Sequence, residues 1–408
     1  MNNKSKPFRT DTTLPHTHTD PSHYSQTDSS HSHHKTLRCK VLSVFGTRPE
    51  AIKMAPVIQK LEESQNHHSI VCVTGQHRHM LDQMLDLFNI KVNYDFNIMT
   101  KNQHLGAITS KVMLALEKVI QKEQPDWLLV QGDTTSCFAA ALTAFYNRVK
   151  VGHIEAGLRT NNLASPFPEE ANRQLVSRIA GLHFAPTKTS QENLIKEGIN
   201  KNTIVVTGNT VIDALLWVKN KVLWQSNWAK RFGTATDVIQ ENKNIILVTG
   251  HRRENHGSGF INICEALKTL ALKFKDWHFI YPVHLNPNVS QPVFERLSNI
   301  DNIHLTPPLD YQPFVYLLKC CYMVLTDSGG IQEEAPALGK PVLVMRDTTE
   351  RPEGIAAGTA KLVGTDSANI TKNVTRLIED PQYYANMAKA INPYGNGKAS
   401  KLIVDWLK

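Results

Sequence analysis

The chain has 408 residues, two to three times the roughly 150 residues of a typical domain, which predicts two domains and excludes a small disulfide-stapled scaffold. Hydrophobic residues make up 41% and charged residues 20%, and no apolar run approaches the roughly eighteen residues of a membrane span, so we expect a globular protein without a membrane partner. The net charge of +8 comes without basic runs interleaved with aromatic residues. It suits an anionic small substrate as well as nucleic acid, and we expect no nucleic-acid partner.

The amino-terminal segment 1–39 is rich in Ser, Thr, His and Asp and has no apolar periodicity, which predicts a disordered polar leader. It lacks the apolar core of a secretion signal. The six cysteines of the chain are scattered, without a CxxC pair or metal-ligand spacing. We therefore expect a cytoplasmic protein with free thiols and no bound metal.

From residue 40 onward, short apolar runs alternate with longer helical patterns, which is typical of strand–helix units in parallel sheets. The first series of predicted strands spans residues 40–45, 70–74, 127–131, 149–154 and 183–185. The second series spans residues 245–249, 278–282, 322–326 and 341–345. The pattern predicts an α/β protein with two Rossmann-like, doubly wound domains, 40–208 and 209–392, that face a central cleft. A final helix within 393–408 is expected to return to the first domain.

The first predicted strand leads into a short polar motif that opens a helix. Thr47 and Glu50 have the spacing of a capping box, and Pro49 suits the first helical turn, so much of this motif is explained by the start of a helix. Arg48 is not needed for capping, and Lys53 follows about one turn later. We interpret these two cations as contacts for an anion at the carboxyl edge of the sheet. The alternative is a solvated surface pair.

Carboxylates follow further segments of the first predicted domain: Asp133 and Glu155 at strand ends, and Glu169 or Glu170 in a proline-rich loop. Acids at the carboxyl ends of neighbouring parallel strands meet in one cleft, which makes them candidates for proton transfer. Each also has a structural alternative. Asp133 would cap the next helix, and Glu155 would pair with Arg159. Glu169 or Glu170 would simply begin a helix.

Two strand ends of the second predicted domain also carry candidate residues. Ser328-Gly329-Gly330 stands between a strand and a helix, where glycines let a phosphate approach the N–H groups of the helix start, although the same pattern also serves as an ordinary turn. Glu334, in that helix, is placed to accept hydrogen bonds from a ribose diol. His251 follows the first strand of this domain and supplies a basic group for a phosphate leaving group.

Five segments of the chain resemble motifs of the bacterial, non-hydrolysing UDP-N-acetylglucosamine 2-epimerases. They read FGTRPEAIKM (45–54), GHIEAGLR (152–159), GHRRE (250–254), YPVH (281–284) and LTDSGGIQEEAP (325–336). The similarity begins at about Lys40 and reaches the carboxyl terminus. It implies a GT-B arrangement of two Rossmann-like domains and a homodimer.

The activity implied by the resemblance is the interconversion of UDP-GlcNAc and UDP-ManNAc without a cofactor, which supplies ManNAc for surface polysaccharide synthesis. The family's proposed reaction eliminates UDP to give 2-acetamidoglucal and then re-adds UDP with the opposite configuration at C2. The residue types fit this chemistry. Because the C2 proton is not acidic by itself, its removal must be coupled to the departure of an anionic diphosphate, so bases and phosphate contacts are both needed.

The resemblance also assigns roles to individual positions. It implies that the catalytic groups are Asp133, Glu155, Glu169 and His251. It implies substrate contacts from Arg48, Lys53, Asp133, Glu155, His251, Phe314, Ser328, Gly329, Gly330, Glu334 and Arg351. A second, activating UDP-GlcNAc site would involve Gln76, Arg252 and His284. The chain departs from the common pattern with Gln131 in place of His, Leu309 in place of Gln, and His79 in place of Glu or Gln.

Three other functions remain open from the sequence. A GT-B glycosyltransferase would share the UDP contacts but need an acceptor, and a hydrolysing epimerase would release free ManNAc and UDP. A nucleotide-sugar sensor without activity would keep Arg48, Ser328 and Glu334 while losing its acids. The presence of Asp133, Glu155 and Glu169 speaks against the sensor.

Overall fold

The structure, a computed structural model, describes residues 38–75, 78–98, 103–221, 232–241 and 244–408. Within these residues thirteen strands form two sheets, which confirms the predicted α/β class. Of the predicted leader, residues 1–37 lie outside the described residues. Cys39, which the prediction placed in the leader, is the first residue of the first strand.

Both sheets are entirely parallel. The strands of the first sheet are β1 (Cys39–Phe45), β2 (His67–Val73), β3 (Tyr94–Asp95), β4 (Trp127–Gln131), β5 (Lys150–Ile154), β6 (Leu182–Ala185) and β7 (Ile204–Val206). Those of the second sheet are β8 (Asn244–Thr249), β9 (Trp277–Pro282), β10 (Ile303–Thr306), β11 (Met323–Thr326), β12 (Val342–Val344) and β13 (Ala360–Leu362). Their spatial orders are β3-β2-β1-β4-β5-β6-β7 and β10-β9-β8-β11-β12-β13.

Helices connect the strands on both faces of each sheet. Around the first sheet they are α1 (Arg48–Glu63), α2 (Arg78–Leu87), α3 (Leu105–Glu123), α4 (Thr135–Tyr146), α5 (Glu169–Ile179) and α6 (Lys188–Lys196). After β7 follow α7 (Thr210–Lys221), α8 (Thr236–Gln240), α9 (Ser258–Lys273), α10 (Pro287–Leu297), α11 (Tyr311–Cys320), α12 (Gly329–Ala337), α13 (Pro352–Ala356), α14 (Ser367–Glu379), α15 (Pro381–Ala388) and α16 (Ala399–Trp406). None of the helices in the described residues has the length and apolar character that a membrane crossing requires.

Buried apolar side chains cover both faces of the central strands. In β1, Val41 and Phe45 belong to one hydrophobic core, whereas Leu42 and Val44 belong to another on the opposite face. Successive side chains of a strand point to opposite faces, so a strand covered on both sides is apolar at nearly every position. This explains why the central strands appear in the sequence as continuous apolar runs.

All nine predicted strands are present; β4 has the predicted bounds, and the others differ by one to three residues at one or both ends. The four strands that the sequence analysis did not predict are β3, β7, β10 and β13, and these are the four edge strands of the two sheets. They have two to four residues each. A strand of two to four residues is too short to show a clear apolar pattern, which is the reason they were missed.

In each sheet the strand order reverses beside the first strand, between β1 and β4 and between β8 and β11. Doubly wound sheets bind ligands at the carboxyl ends of the strands that flank such a reversal. The candidate residues after β1, β4, β8 and β11 therefore lie where a ligand is expected.

The carboxyl-terminal helix α16 packs against α1 and α7. Beyond it, Trp127 Nε1 of β4 donates to the Lys408 carbonyl at 3.2 Å, and the imidazole of His67 in β2 lies 2.6 Å from the Leu407 carbonyl. The end of the chain thus contacts strands of the first sheet, in agreement with the expected return of the last helix. The domain limits at 40–208 and 209–392 stay a prediction.

Candidate active site

The start of α1 is fixed by the predicted capping box. Thr47 Oγ1 accepts from Glu50 N at 3.4 Å, and Glu50 Oε2 accepts from Gly46 N at 2.9 Å and Thr47 N at 2.8 Å. Thr134 Oγ1, after β4, donates to Glu50 Oε1 at 2.6 Å. The strand ends of β1 and β4 are therefore tied together at the reversal of the sheet. Arg48, in the first turn of α1, is partly exposed, and its guanidinium forms no hydrogen bond or ion pair with the described residues.

Glu155, the first residue after β5, accepts hydrogen bonds from side chains of other elements. Lys53 Nζ lies 2.6 Å from each of its oxygens, and Gln131 Nε2 also donates to it. Burial by itself would raise the pKa of Glu155, but the Lys53 and Arg351 charges outweigh burial and hold the pKa below its ordinary value. Its backbone φ of +65° is rare for a residue with a side chain and is typical of functional sites.

The proposed pairing of Glu155 with Arg159 is wrong. The Arg159 guanidinium binds Glu197 through Nε at 2.6 Å and Nη2 at 2.9 Å, and it also donates to Ser177 Oγ. Glu155 instead faces Lys53 of α1. The structural alternative for Glu155 is thereby excluded.

Asp133 is also not a helix cap, because Thr134 Oγ1 caps α4 by accepting from Cys137 N. The Asp133 carboxylate accepts from Arg173 Nη2 of α5 at 2.6 Å, and its carbonyl accepts from Asn172 Nδ2 at 2.9 Å. Burial raises the pKa of Asp133 above its ordinary value, although Arg173 opposes that rise. The charges of Glu155 and Glu169 raise this pKa further, so the three carboxylates act on one another electrostatically.

The structure separates Glu169 from Glu170. Glu170 is fully buried, and its two oxygens accept from Thr160 N at 3.0 Å and Asn161 N at 3.1 Å, so it holds the loop before α5. Glu169, the first residue of α5, is partly exposed. Glu169 is close enough to Asp133 for its charge to raise the Asp133 pKa. Unlike Glu170, it does not hold the loop before α5.

In the second sheet, a buried aspartate organises the strand ends. Asp327, after β11, accepts from the backbone N–H groups of His251 and Arg252, each at 2.9 Å, and from Asn255 Nδ2 at 3.2 Å. This holds the loop after β8 in place. The His251 ring, less than half exposed, stacks on the His284 ring with centroids 5.7 Å apart. Burial of the imidazole is the main cause that lowers the pKa of His251.

The helix α12 begins with Ser328 as its N-cap and Gly329 as its first residue. A Cβ at Gly329 would lie 3.2 Å from Arg351 Cζ, so a larger residue would press on the guanidinium that packs over the helix start. Gly330 is open, because a Cβ there would have Glu334 Oε2 as its nearest neighbour, at 4.0 Å. The free N–H groups of this helix start and the adjacent guanidinium suit an anionic ligand.

Glu334, farther along α12, accepts from Tyr311 Oη of α11 at 3.0 Å. Burial raises the pKa of Glu334 to about 7, while the Arg48 charge lowers it. Because Arg48 belongs to α1 beside the first sheet, the two candidate sites face the same cleft. Phe314, one turn after Tyr311, is partly buried against the hydrophobic core.

The structure also brings in residues that the sequence analysis did not single out. Asn209, at the start of α7, donates through Nδ2 to Glu155 and to Glu333, and Arg351 Nε donates to Glu333 at 2.8 Å. Arg173 holds Asp133 from another helix. These contacts join positions far apart in the chain, and no local sequence signal marks them.

Several expectations are not tested by these contacts. Gln76 lies outside the described residues, as does the side chain of His79. Arg252 Nη2 lies 3.4 Å from Glu350, and Leu309 packs against the core. In the described part of the chain, no group of three or more His, Cys, Asp and Glu side chains is placed to hold a metal ion.

Comparison with known proteins shows which protein family the chain is related to. The family model for UDP-N-acetylglucosamine 2-epimerase matches residues 59–408. The chain belongs to this family. The GT-B-like fold expected from the resemblance is confirmed by the two sheets and by the solved structures of family members.

Named members of this epimerase family are similar to the chain over nearly their whole length. The enzyme of Neisseria meningitidis serogroup A is 55% identical over 368 residues, which cover 90% of this chain and 99% of that protein. The Yersinia pestis enzyme is 54% identical over 373 residues, with 90% and 98% covered. The crystal structure of the N. meningitidis enzyme bound to UDP-GlcNAc superposes with a TM-score of 0.82 at 55% identity, covering 90% of this chain and 99% of that chain.

Proposed function

We propose that this protein is an isomerase that interconverts UDP-GlcNAc and UDP-ManNAc by eliminating UDP to form 2-acetamidoglucal and then adding it back. The observation that carries the proposal is the grouping of Asp133, Glu155 and Glu169 beside the nucleotide-type site on α12. Family membership supports the same activity, and the N. meningitidis relative binds UDP-GlcNAc in its crystal structure.

The elimination needs a base for the C2 proton. Glu155 stays ionised well below neutral pH, because the Lys53 and Arg351 charges lower its pKa. Asp133 differs, because burial raises its pKa. Two neighbouring carboxyl groups whose pKa values move in opposite directions can hold a proton on one and accept a proton on the other. We assign proton transfer at C2 to this pair together with Glu169.

The departing UDP needs positive groups around its diphosphate. We assign this role to Arg48, Arg351, His251 and the N–H groups of Gly329 and Gly330, which lie at the strand ends of the two sheets. Such groups stabilise the negative charge that develops on the leaving diphosphate. Lys53 is also a substrate contact in our assignment.

The uridine end of the ligand is assigned to the second sheet. Glu334, which accepts a hydrogen bond from Tyr311 Oη, would also accept hydrogen bonds from the ribose hydroxyl groups. Phe314 and Ser328 would complete that site. We assign Arg252 and His284, beside His251, to a second UDP-GlcNAc site, together with Gln76.

The test is an NMR time course of the protein with UDP-GlcNAc alone in D2O. We expect UDP-ManNAc to appear with deuterium at C2. Products that retain hydrogen at C2 would exclude proton abstraction at that carbon. Free ManNAc would indicate the hydrolysing reaction instead, and a reaction that starts only when an acceptor sugar is added would indicate a glycosyltransferase.

We also propose that the protein is a cytoplasmic homodimer that supplies ManNAc for surface polysaccharide. The apolar surface of α3 and α4 supports the dimer: Phe145 and Tyr146 are 57% and 65% exposed, and Leu114 on the adjacent α3 is also exposed. Light scattering should give twice the chain mass, and Phe145→Glu should give the monomer. A monomeric wild type would contradict the dimer and leave the reaction assignment unaffected.

A further inference from the structure

Asn209 stands between β7 and α7, where the chain leaves the first sheet, and its side chain is almost fully buried. Its Oδ1 accepts from Val211 N at 3.1 Å, which fixes the orientation of the amide. Its Nδ2 donates to Glu155 Oε1 at 2.9 Å and to Glu333 Oε2 at 2.6 Å. Because an amide nitrogen carries two hydrogens, it can serve both carboxylates at once.

The two carboxylates belong to different parts of the site. Glu155 follows β5 and is held by Lys53 of α1 and by Gln131 at the end of β4 in the first sheet. Glu333 lies on α12 of the second sheet and binds Arg351 Nε at 2.8 Å. In the part of the chain that the structure describes, the direct hydrogen-bond path from Glu333 to Glu155 runs through Asn209 alone.

The backbone of Asn209 is fixed as well. Its N–H donates to the Tyr394 carbonyl at 2.7 Å, in the segment through which the chain returns towards α16. Gly208 and Gly395, next to these two residues, pack backbone against backbone, and a Cβ at Gly208 would lie 3.1 Å from Gly395 Cα. The amide of Asn209 is therefore anchored at the point where both chain crossings between the sheets meet.

We infer that Asn209 is a positioning residue that holds the Glu155 carboxylate for proton transfer and couples its position to the Glu333–Arg351 pair beside the nucleotide site. The inference rests on the proposed function, because it takes Glu155 as a proton-transfer group. An aspartate at position 209 would place a third carboxylate between the other two. An apolar residue would leave both carboxylates without this donor, which is costly for buried charges.

The test is a double-mutant cycle measured as the rate of deuterium incorporation at C2 with saturating UDP-GlcNAc. Asn209→Ser keeps a side-chain oxygen that can cap α7 but is too short to donate to both carboxylates. We expect kcat to fall roughly ten- to a hundredfold, the loss typical of one hydrogen bond to a charged group, while KM changes less than about threefold. Glu333→Gln should also lower kcat, because a neutral amide oxygen is a weaker acceptor for Asn209 Nδ2 than the carboxylate is.

The coupling between Asn209 and Glu333 in the double-mutant cycle distinguishes a positioning role of Asn209 from a general loss of structure. If Asn209 carries the link, Glu333→Gln should lower kcat by a smaller factor in the Asn209→Ser background than in the wild type. The part of its effect that passes through Asn209 is then already lost, and only the part that passes through Arg351 remains. Gln131→Leu is the matched control, since it removes another donor to Glu155 without touching Glu333. Glu333→Gln should therefore lower kcat by the same factor in the Gln131→Leu background as in the wild type.

Multiplicative effects of Asn209→Ser and Glu333→Gln would overturn the inference, as would an unchanged kcat in either single variant. If Asn209→Ser fails to fold, the single variant Glu333→Gln still tests the inference, because an unchanged kcat would exclude coupling between Glu333 and Glu155. The wild type serves as the reference for the activity itself. A wild type that incorporates no deuterium would refute the proposed function, whereas an active wild type with a multiplicative cycle would refute only the role of Asn209.

Discussion

In both sheets an acid follows directly or closely after a strand, but these strand-end acids are bound differently. In the first sheet, Asp133 and Glu155 are bound by the side chains of Arg173 and Lys53. In the second sheet, Asp327 is fully buried, and backbone N–H groups are among its donors. Asp327 therefore holds the loop after β8 in place, whereas Asp133 and Glu155 are the candidates for proton exchange with a ligand.

The two sheets also differ in how they offer positive charge. The first sheet offers side-chain cations, Arg48 and Lys53, from α1. The second offers the start of α12, where Gly329 allows Arg351 to pack over free N–H groups. One architecture thus provides proton chemistry on one side of the cleft and anion binding on the other, through the residues that follow each strand.

The largest expected effect concerns the acids of the first sheet. Glu155→Gln and Asp133→Asn each remove a proton acceptor with little change of shape, so kcat should fall by about 10²–10⁴. UDP affinity, measured by calorimetry, should change much less. A loss of UDP affinity as large as the loss of rate would move these acids to a binding role.

The acid of the second sheet should respond in the opposite way. Asp327→Asn turns one acceptor oxygen into a donor that faces backbone N–H groups, so the free energy of unfolding should fall by about 2–3 kcal/mol. Urea denaturation measures this loss. Equal stability of the variant and the wild type would show that Asp327 does not build the loop after β8.

The cations of α1 provide a matched pair. Arg48→Ala should weaken UDP-GlcNAc use by about 1.5–3 kcal/mol, the range for a hydrogen bond to a charged group. Lys60→Ala, on the same helix, removes an exposed ion pair with Glu63 and should leave kcat/KM within about twofold. Equal effects of the two substitutions would place Arg48 on the solvated surface.

Glu334 should make stability depend on pH. Burial raises its pKa from 4.5 to about 7, so the folded state binds this proton more tightly than the unfolded state does. The stability of the wild type relative to Glu334→Gln should therefore fall as the pH rises from 4.5 to about 7 and stay level above that range. Thermal unfolding at several pH values should show a relative change of a few degrees. A difference independent of pH would mean that Glu334 titrates normally.

The smallest effect is expected from removing the leader. Its composition offers no apolar core, so deletion of residues 1–37, which ends before β1, should leave kcat and the thermal midpoint nearly unchanged. Both quantities are measured on the purified truncated chain. A large fall in either would show that the leader binds the rest of the protein.

The sequence by itself determined the central strands, the capping box at Thr47 and Glu50, and the positions at which acids and glycines follow strands. These features are local: apolar runs, helix-start spacing and strand ends can be recognised within about ten residues. The edge strands could not be predicted from the sequence because they have only two to four residues. Recognition of the family motifs supplied the reaction and the list of candidate residues.

Only the tertiary structure decided which partner each acid has. Glu155 pairs with Lys53, 102 residues away, rather than with Arg159 nearby. Asn209 reaches Glu333, 124 residues along the chain, and Asp327 binds the loop at His251. The roles of ionisable groups depend on burial and on charges brought close by folding, and neither quantity is encoded in the neighbouring residues of the chain.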